Sequence, residues 1–268
     1  MEIAGQVVVV TGGASGIGRA LADRFLRDGA RGVAVADLDA GAVRAVAAPW
    51  GDRALGVACD VTDGDAVAAL IAATEDAFGP VDLFCANAGV AVGEDEQSDD
   101  AVWDLALGVN VRAHVTAARL LVPGWLARGR GYFLSTASAA GLLTQVGSAP
   151  YAVSKHAAVA FAEWLAVTYG DRGLRVSCLC PMGVDTPLLD GGFAGADGAP
   201  SAATAAVRGA GAVLSPDEVA GVVVDGLREE RFLLLPHPEV ATFAQRRAAD
   251  HDRWIAGMRR VQSAATAP

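Results

Sequence analysis

Lysine is almost missing from this chain. Its 268 residues include 21 Lys or Arg, and Lys155 is the only lysine. Basic residues are outnumbered by 31 Asp and Glu, giving a formal net charge of −10. Such a surface does not neutralise phosphates, which excludes nucleic acid and anionic membranes as partners. Histidine is sparse and scattered (His114, His156, His237, His251). The four cysteines (Cys59, Cys85, Cys178, Cys180) sit in apolar, strand-like stretches without ligand spacing. No metal site and no disulfide framework is therefore expected, and the thiols read as reduced core residues of a cytoplasmic protein. Long hydrophobic runs are missing too. Although 53% of residues are hydrophobic and the mean hydropathy is +0.35, charges, glycines or prolines interrupt every stretch of about 18 residues. The start, "MEIAGQVVVVTGG", has an acidic residue and no basic segment, unlike a signal or transit peptide.

What is present is a rhythm. β-Branched runs at 6–12, 32–37, 54–61, 81–89, 131–136, 175–181 and 231–236 alternate with helix-period segments at 16–29, 39–48, 63–78, 99–128, 151–172 and 216–230. Continuously apolar strands imply a sheet covered on both faces. The alternation predicts an α/β fold: a single doubly wound parallel sheet of Rossmann type, with helices on both faces and an extra C-terminal helix. No linker divides the rhythm, so residues 1–268 are read as one domain. The small-residue, Gly-rich stretch 190–213 interrupts it and suits a substrate lid. The extension 237–268 reads as an amphipathic helix over 237–262, offering Val240, Phe243, Trp254, Ile255 and Met258 for burial. It packs either on its own subunit or over a neighbour's cleft.

The segment "VVVVTGGASGIGRALADRFLRDGA" sets a Gly-rich turn between a buried strand and an amphipathic helix. Gly12, Gly16 and Gly18 let the backbone approach a pyrophosphate, and the helix start offers free N–H groups and a positive dipole end. Asp37 ends the second strand, nineteen residues after Gly18. A carboxylate there accepts from both ribose hydroxyls and repels a 2′-phosphate, and the turn has no cation to offset it. The expected cofactor is NAD.

The spacing T-G-x-x-x-G-x-G resembles the short-chain dehydrogenase/reductase family, and an ordered set of further motifs carries the likeness from about residue 3 to 236. "CDV" (59–61) resembles the segment in which Asp60 contacts the adenine and Val61 packs beside it. "NAG" (Asn87, Ala88, Gly89) resembles the fourth-strand motif, and Asn110 occupies the place of the active-site Asn. Ser138 stands thirteen residues before Tyr151, and "YAVSK" supplies Tyr-x-x-x-Lys. The resemblance implies a catalytic set of Asn110, Ser138, Tyr151 and Lys155. It implies cofactor contacts from Gly12, Ser15, Gly16, Ile17, Gly18, Asp37, Leu38, Asp60, Val61, Asn87, Ala88, Gly89, Tyr151, Lys155, Pro181, Val184 and Thr186. In "PMGVDT" (181–186) Met182 stands where the family has Gly.

A free tyrosine, pKa about 10, is a poor base at neutral pH. The Lys155 ammonium, one helical turn away, is expected to lower the Tyr151 pKa together with a positive nicotinamide. By resemblance Lys155 also holds the nicotinamide ribose, where a slim ammonium fits and a guanidinium fork does not. Ser138 would steady the substrate oxygen, and Asn110 would act through its backbone at a helix irregularity. Val90, Ala91, Val92, Leu142, Leu143, Val146, Met182, Leu188 and Leu189 surround the site, with Gln145 and no cation. A neutral, largely hydrophobic secondary alcohol and its ketone are the expected substrates. A ketone reductase, a diol dehydrogenase and a non-catalytic NAD-binding regulator or scaffold are the alternatives. The acidic run 94–100 is placed at the cleft mouth, more as a solvated loop than as a recognition element. The resemblance implies a homodimer or homotetramer through the helices at 99–128 and 151–172.

Overall fold

The computed structural model describes residues 1–191 and 201–265. Seven parallel strands form one sheet: β1 (Val7–Thr11), β2 (Gly32–Asp37), β3 (Ala54–Ala58), β4 (Leu83–Ala86), β5 (Gly131–Thr136), β6 (Leu174–Leu179) and β7 (Leu233–Leu234), in the order β3-β2-β1-β4-β5-β6-β7. This is the doubly wound sheet expected from the sequence. The order reverses between β1 and β4, and the crevice outside the strands' C-terminal ends at that point is where such folds bind ligands.

Strand alternation sorts the apolar side chains into two layers. Val8, Val10, Val33, Val35 and Leu134 face α1 (Gly16–Arg27) and α10 (Pro216–Arg228), meeting Leu21, Phe25, Val223 and Leu227. Val7, Val9, Ala34, Phe84 and Phe133 face α3 (Gly64–Phe78), α5 (Ala113–Arg128) and α7 (Ala149–Tyr169). The period of two along each strand, with both faces covered, accounts for the continuously apolar strand sequences. Side chains mark the helix starts. Asp39 caps α2 (Ala40–Ala47), Asp63 caps α3, Ser148 caps α7, and Ser215 with Glu218 forms a capping box on α10.

Several boundaries differ from expectation. β3 stops at Ala58 because Asp60 turns back to accept from the amide and hydroxyl of Thr62 (2.8 and 2.7 Å). β4 stops at Ala86 because the Thr11 hydroxyl accepts from Asn87 N and Ala88 N (3.0 and 3.1 Å). The helix expected over 99–128 is α4 (Asp100–Leu107), a π-turn (Gly108–Arg112) and α5. This run is long and apolar enough by composition to cross a membrane, yet half of it is buried in the fold. Ala117, Leu121 and Trp125 lie in the second core layer, as in a core helix. Short helices α6 (Ala140–Leu143) and α8 (Pro187–Gly191) were not anticipated. Of the lid expected over 190–213, residues 192–200 lie outside the described residues, and Ala202–Ala210 form α9. The expected C-terminal helix is two helices, α11 (Glu239–Ala249) and α12 (His251–Ala265), broken at Asp250, whose backbone is extended.

Candidate active site

At the switch point the backbone is packed without room for side chains. A Cβ on Gly18 would overlap the Gly12 carbonyl, and one on Gly12, which has φ +64°, would come 2.8 Å from Ala88 Cα. A Cβ on Gly16 (φ +49°) would meet Thr186 Cγ2 at 2.9 Å, so the segment 181–186 closes against the Gly-rich turn. Asp37 Oδ2 accepts from Ala14 N (3.1 Å) and Oδ1 from its neighbour Leu38 N (2.8 Å). The cap of α2 is Asp39, which leaves Asp37 at the strand end facing the turn. Asn87 Nδ2 donates to Thr11 O (3.0 Å), joining the two halves of the sheet. Ser15 stands at the N-cap of α1 but makes no side-chain cap bond, so the N–H groups of that first turn are left for another acceptor. The glycine cradle, the uncapped helix start and the acid at the β2 end together fit a dinucleotide. Ser15, Ile17, Leu38, Asp60, Val61, Gly89, Pro181 and Val184 line the same cleft.

Asn110 lies in the π-turn, fully buried. Its Oδ1 accepts from Val90 N (2.9 Å), and its Nδ2 donates to Val90 O and Ser154 Oγ (2.9 Å each). The side chain is thus occupied within the fold, and the helix irregularity at this position is the π-turn. Lys155 Nζ donates to Thr136 O (3.1 Å) and sits 5.6 Å from the Tyr151 ring centroid. A Cβ on Gly89 would lie 3.3 Å from Lys155 Nζ and 3.2 Å from Asn110 Oδ1, so this glycine keeps the ground between them open. Burial pulls the Lys155 pKa from 10.5 down to about 8, against a smaller opposite pull from Cys178 and Cys180.

Tyr151 is buried and hydrogen-bonded to Ser138. Burial raises the phenol pKa, the Ser138 bond opposes it, and Cys180 adds a smaller rise. The ammonium lies over the ring face, its charge directed at Thr136 O. Ser138 Oγ also accepts from Ala140 N (3.1 Å), which fixes the hydroxyl at the start of α6.

Two histidines escaped the sequence reading. His114, one turn beyond Asn110, is buried against Ser135 (Nδ1–Oγ 3.0 Å), and burial, then Lys155, holds its pKa down at about 3. It is therefore neutral. His237 Nδ1 accepts from Met182 N (3.1 Å), so the proton sits on Nε2, which faces Gly183 O and Ala212 O (3.1 and 3.2 Å). His237 thereby clamps the 181–186 turn that carries Met182. The turn's register with Leu214 and the Thr186 Oγ1 bond to Val184 O (3.2 Å) complete it.

The cleft encloses about 1730 Å³. Val90, Ala91, Val92, Leu143, Gln145, Val146, Met182, Leu188 and Leu189 line it as expected, whereas Leu142 does not. Leu142 instead supports α11, its carbonyl accepting from Arg247 Nη1 (3.1 Å). The acidic run 94–100 does not line the cleft and is a largely exposed loop leading into α4. The larger correction concerns charge. The extension folds over its own subunit: Val240, Phe243 and Trp254 pack with Leu142, Leu143 and Met182. That brings Arg246, Arg253 and Arg260 to the cleft wall, where no cation was expected. Sequence distance hid them, because nothing in 237–262 signals which way the extension turns.

A family model described as short chain dehydrogenase matches residues 6–194. The 1-deoxy-11-beta-hydroxypentalenate dehydrogenase of Streptomyces arenae is 42% identical over 253 residues, covering 87% of this chain and 83% of the relative. The 3beta-hydroxysteroid dehydrogenase 2 of Eggerthella lenta is 33% identical, covering 81% and 85% respectively. A short chain dehydrogenase/reductase from Burkholderia phymatum, solved in complex with NAD, superimposes with a TM-score of 0.83 at 31% identity, covering 94% of this chain and 96% of that one. Matched along most of its length in both sequence and fold, the chain belongs to the short-chain dehydrogenase family.

Proposed function

We propose that the protein is an NAD-dependent dehydrogenase that interconverts a largely apolar secondary alcohol and its ketone, with Tyr151 as acid and base. The observation that carries this is the meeting of Tyr151, Ser138 and Lys155 on the floor of an apolar cleft whose other end is the glycine cradle with Asp37. Named relatives act on hydroxyl-bearing molecules, a hydroxypentalenate and a 3beta-hydroxysteroid, and a related fold was solved with NAD. Asp37 favours NAD over NADP by its charge.

When bound, NAD+ supplies the hydride acceptor and a positive ring charge that favours tyrosinate. The substrate oxygen rests between the Tyr151 and Ser138 hydroxyls. Tyr151 takes the hydroxyl proton as the carbon loses hydride, and Ser138 holds the oxygen while its charge changes. Lys155 orients the phenol and keeps a positive charge behind it. The apolar walls exclude water from this exchange. Exposed apolar side chains on α5 and α7, among them Trp164 (54% exposed) and Val167 (81%), support assembly of a homodimer or homotetramer through these helices. Location in the cytoplasm belongs to the same reading.

The test is NADH fluorescence on mixing protein and NAD+ with aliphatic, alicyclic and steroid secondary alcohols, beside Tyr151→Phe. Removing a general base costs about 10²–10⁴-fold. Turnover in the wild type and a loss of that size in the variant, with NAD+ still bound, is the expected result. Equal activity in the two proteins would refute the role of Tyr151. NAD+ binding without turnover in either would favour a non-catalytic regulator.

A further inference from the structure

We propose that Arg246, Arg253 and Arg260 form an anion subsite at the cleft mouth that receives a carboxylate borne by the alcohol substrate. This rests on the reading of the cleft as a dehydrogenase site and specifies its largely apolar alcohol as one that also bears a carboxylate, in place of the neutral substrate expected from the sequence.

Arg246 lies in the last turn of α11, and Arg253 and Arg260 are seven residues apart on α12. Seven residues are close to two turns, so the last two project from one helix face, and all three line the cleft. None of them pairs with a carboxylate among the described residues. Among the described residues Asp250 is the only acid on this part of the wall; the other lining acids, Asp37 and Asp60, belong to the opposite, nucleotide end. In a chain of net charge −10 this concentration of positive charge is local.

The arginines are also placed for the substrate rather than for a dinucleotide. α11 packs on α6, which follows Ser138, and α12 packs on α9. The pyrophosphate cradle is the uncapped start of α1. Leu143, Val146, Met182, Leu188 and Trp254 make the lining they share with Tyr151 and the arginines largely apolar, with Thr144 and Gln145 as polar members. A ligand with a hydroxyl at one end, an apolar body and a carboxylate at the other satisfies every part of this wall. The guanidinium fork matches a carboxylate in two-point geometry. Since the three side chains are exposed, their attraction is sensitive to salt.

The experiment compares kcat/KM for a hydroxydecalin carboxylic acid and its methyl ester in the wild type and in Arg246→Gln/Arg253→Gln. The ester is the internal reference, and the acid-to-ester ratio is what is read. The wild type is expected to prefer the acid at least tenfold, with the ratio falling toward one in the double variant and on raising salt from about 0.05 to about 0.5 M. A wild-type ratio of one or less, or a preference that survives both changes, would overturn the subsite while ester oxidation leaves the dehydrogenase reading intact. If neither compound is oxidised, the dehydrogenase reading fails for this substrate shape. The subsite is then judged by calorimetry on NADH-loaded protein with adamantane-1-carboxylate and adamantane-1-carboxamide. Tighter carboxylate binding sustains it, and equal binding overturns it.

Discussion

Replacing Lys155 with Met should stabilise the fold while removing activity. Lys155 is buried, and its pKa falls from 10.5 to about 8, chiefly through loss of hydration. That fall corresponds to a cost on the order of 3 kcal/mol for holding the ammonium inside at pH 7. Met has similar length and no charge, so the variant escapes that cost. Against this, Thr136 O loses its donor at 3.1 Å, an acceptor left unsatisfied at about 1–3 kcal/mol. The net expectation is a gain of about 1–2 kcal/mol, or roughly 2–8 °C in Tm for a chain of this size. The pH dependence has a definite sign. Below pH 8 the lysine is charged in folded and unfolded chains alike, and the full cost applies. Between about pH 8 and 10.5 the folded protein sheds its proton first, so the unfolded chain binds more protons and wild-type stability rises with pH. The variant lacks that rise, and its advantage should shrink toward pH 10. Cys59, raised to about 11 by burial, and Tyr132, raised to about 12, are present in both proteins and drop out of the difference. Urea unfolding of both cofactor-free proteins at pH 7 and pH 10 measures it. A variant less stable than wild type at pH 7, or an advantage independent of pH, would refute the reasoning.

Asp37→Ala should cut the preference for NAD over NADP at least tenfold in kcat/KM, and it should also weaken NAD itself because the Ala14 tether is lost; steady-state kinetics with both cofactors checks this. Gly18→Ala drives a methyl into the Gly12 carbonyl, so NAD+ binding by calorimetry should fall more than tenfold, and retention of normal affinity would contradict the packing. Thr11→Val strands Asn87 N and Ala88 N without their acceptor, an expected loss of about 2–4 kcal/mol in urea unfolding. Thr144 lines the cleft with φ +86°, a strained conformation for a β-branched residue, so Thr144→Gly should raise stability by about 1 kcal/mol in the same assay.

The sheet was legible because both-face burial writes itself into each strand locally, as in Val7–Thr11, where alternate valines serve opposite layers. The nucleotide end was legible for the same reason: turn, cap and acid lie within one βαβ unit. Tyr151 and Lys155 share one helix, so their spacing is geometry already. What escaped the sequence depends on distant contacts. His237 clamps Met182 across 55 residues, and no periodicity at either site announces it. α9, with the sequence AATAAVRGA, forms within a stretch whose small residues and glycines read as a lid interrupting the helical rhythm. The break at Asp250 and the inward turn of the arginines follow from packing on α6 and Met182, which the helical pattern of 237–262 does not encode.

The π-turn at Gly108–Arg112 also acts as a reading frame for the long helix it interrupts. Each residue of an α-helix advances its side chains by about 100°, and a π-turn holds one residue more than the regular spiral needs. Deleting any one residue from 108–112 would let the helix close into a continuous α-form. α4 would then be rotated by about that angle relative to α5. Since α5 is fixed by Trp125 and Val81, α4 would be the part to swing, turning its apolar face away from α7. The extra residue cannot be lost on its own: removing it requires a compensating insertion elsewhere in the same helix.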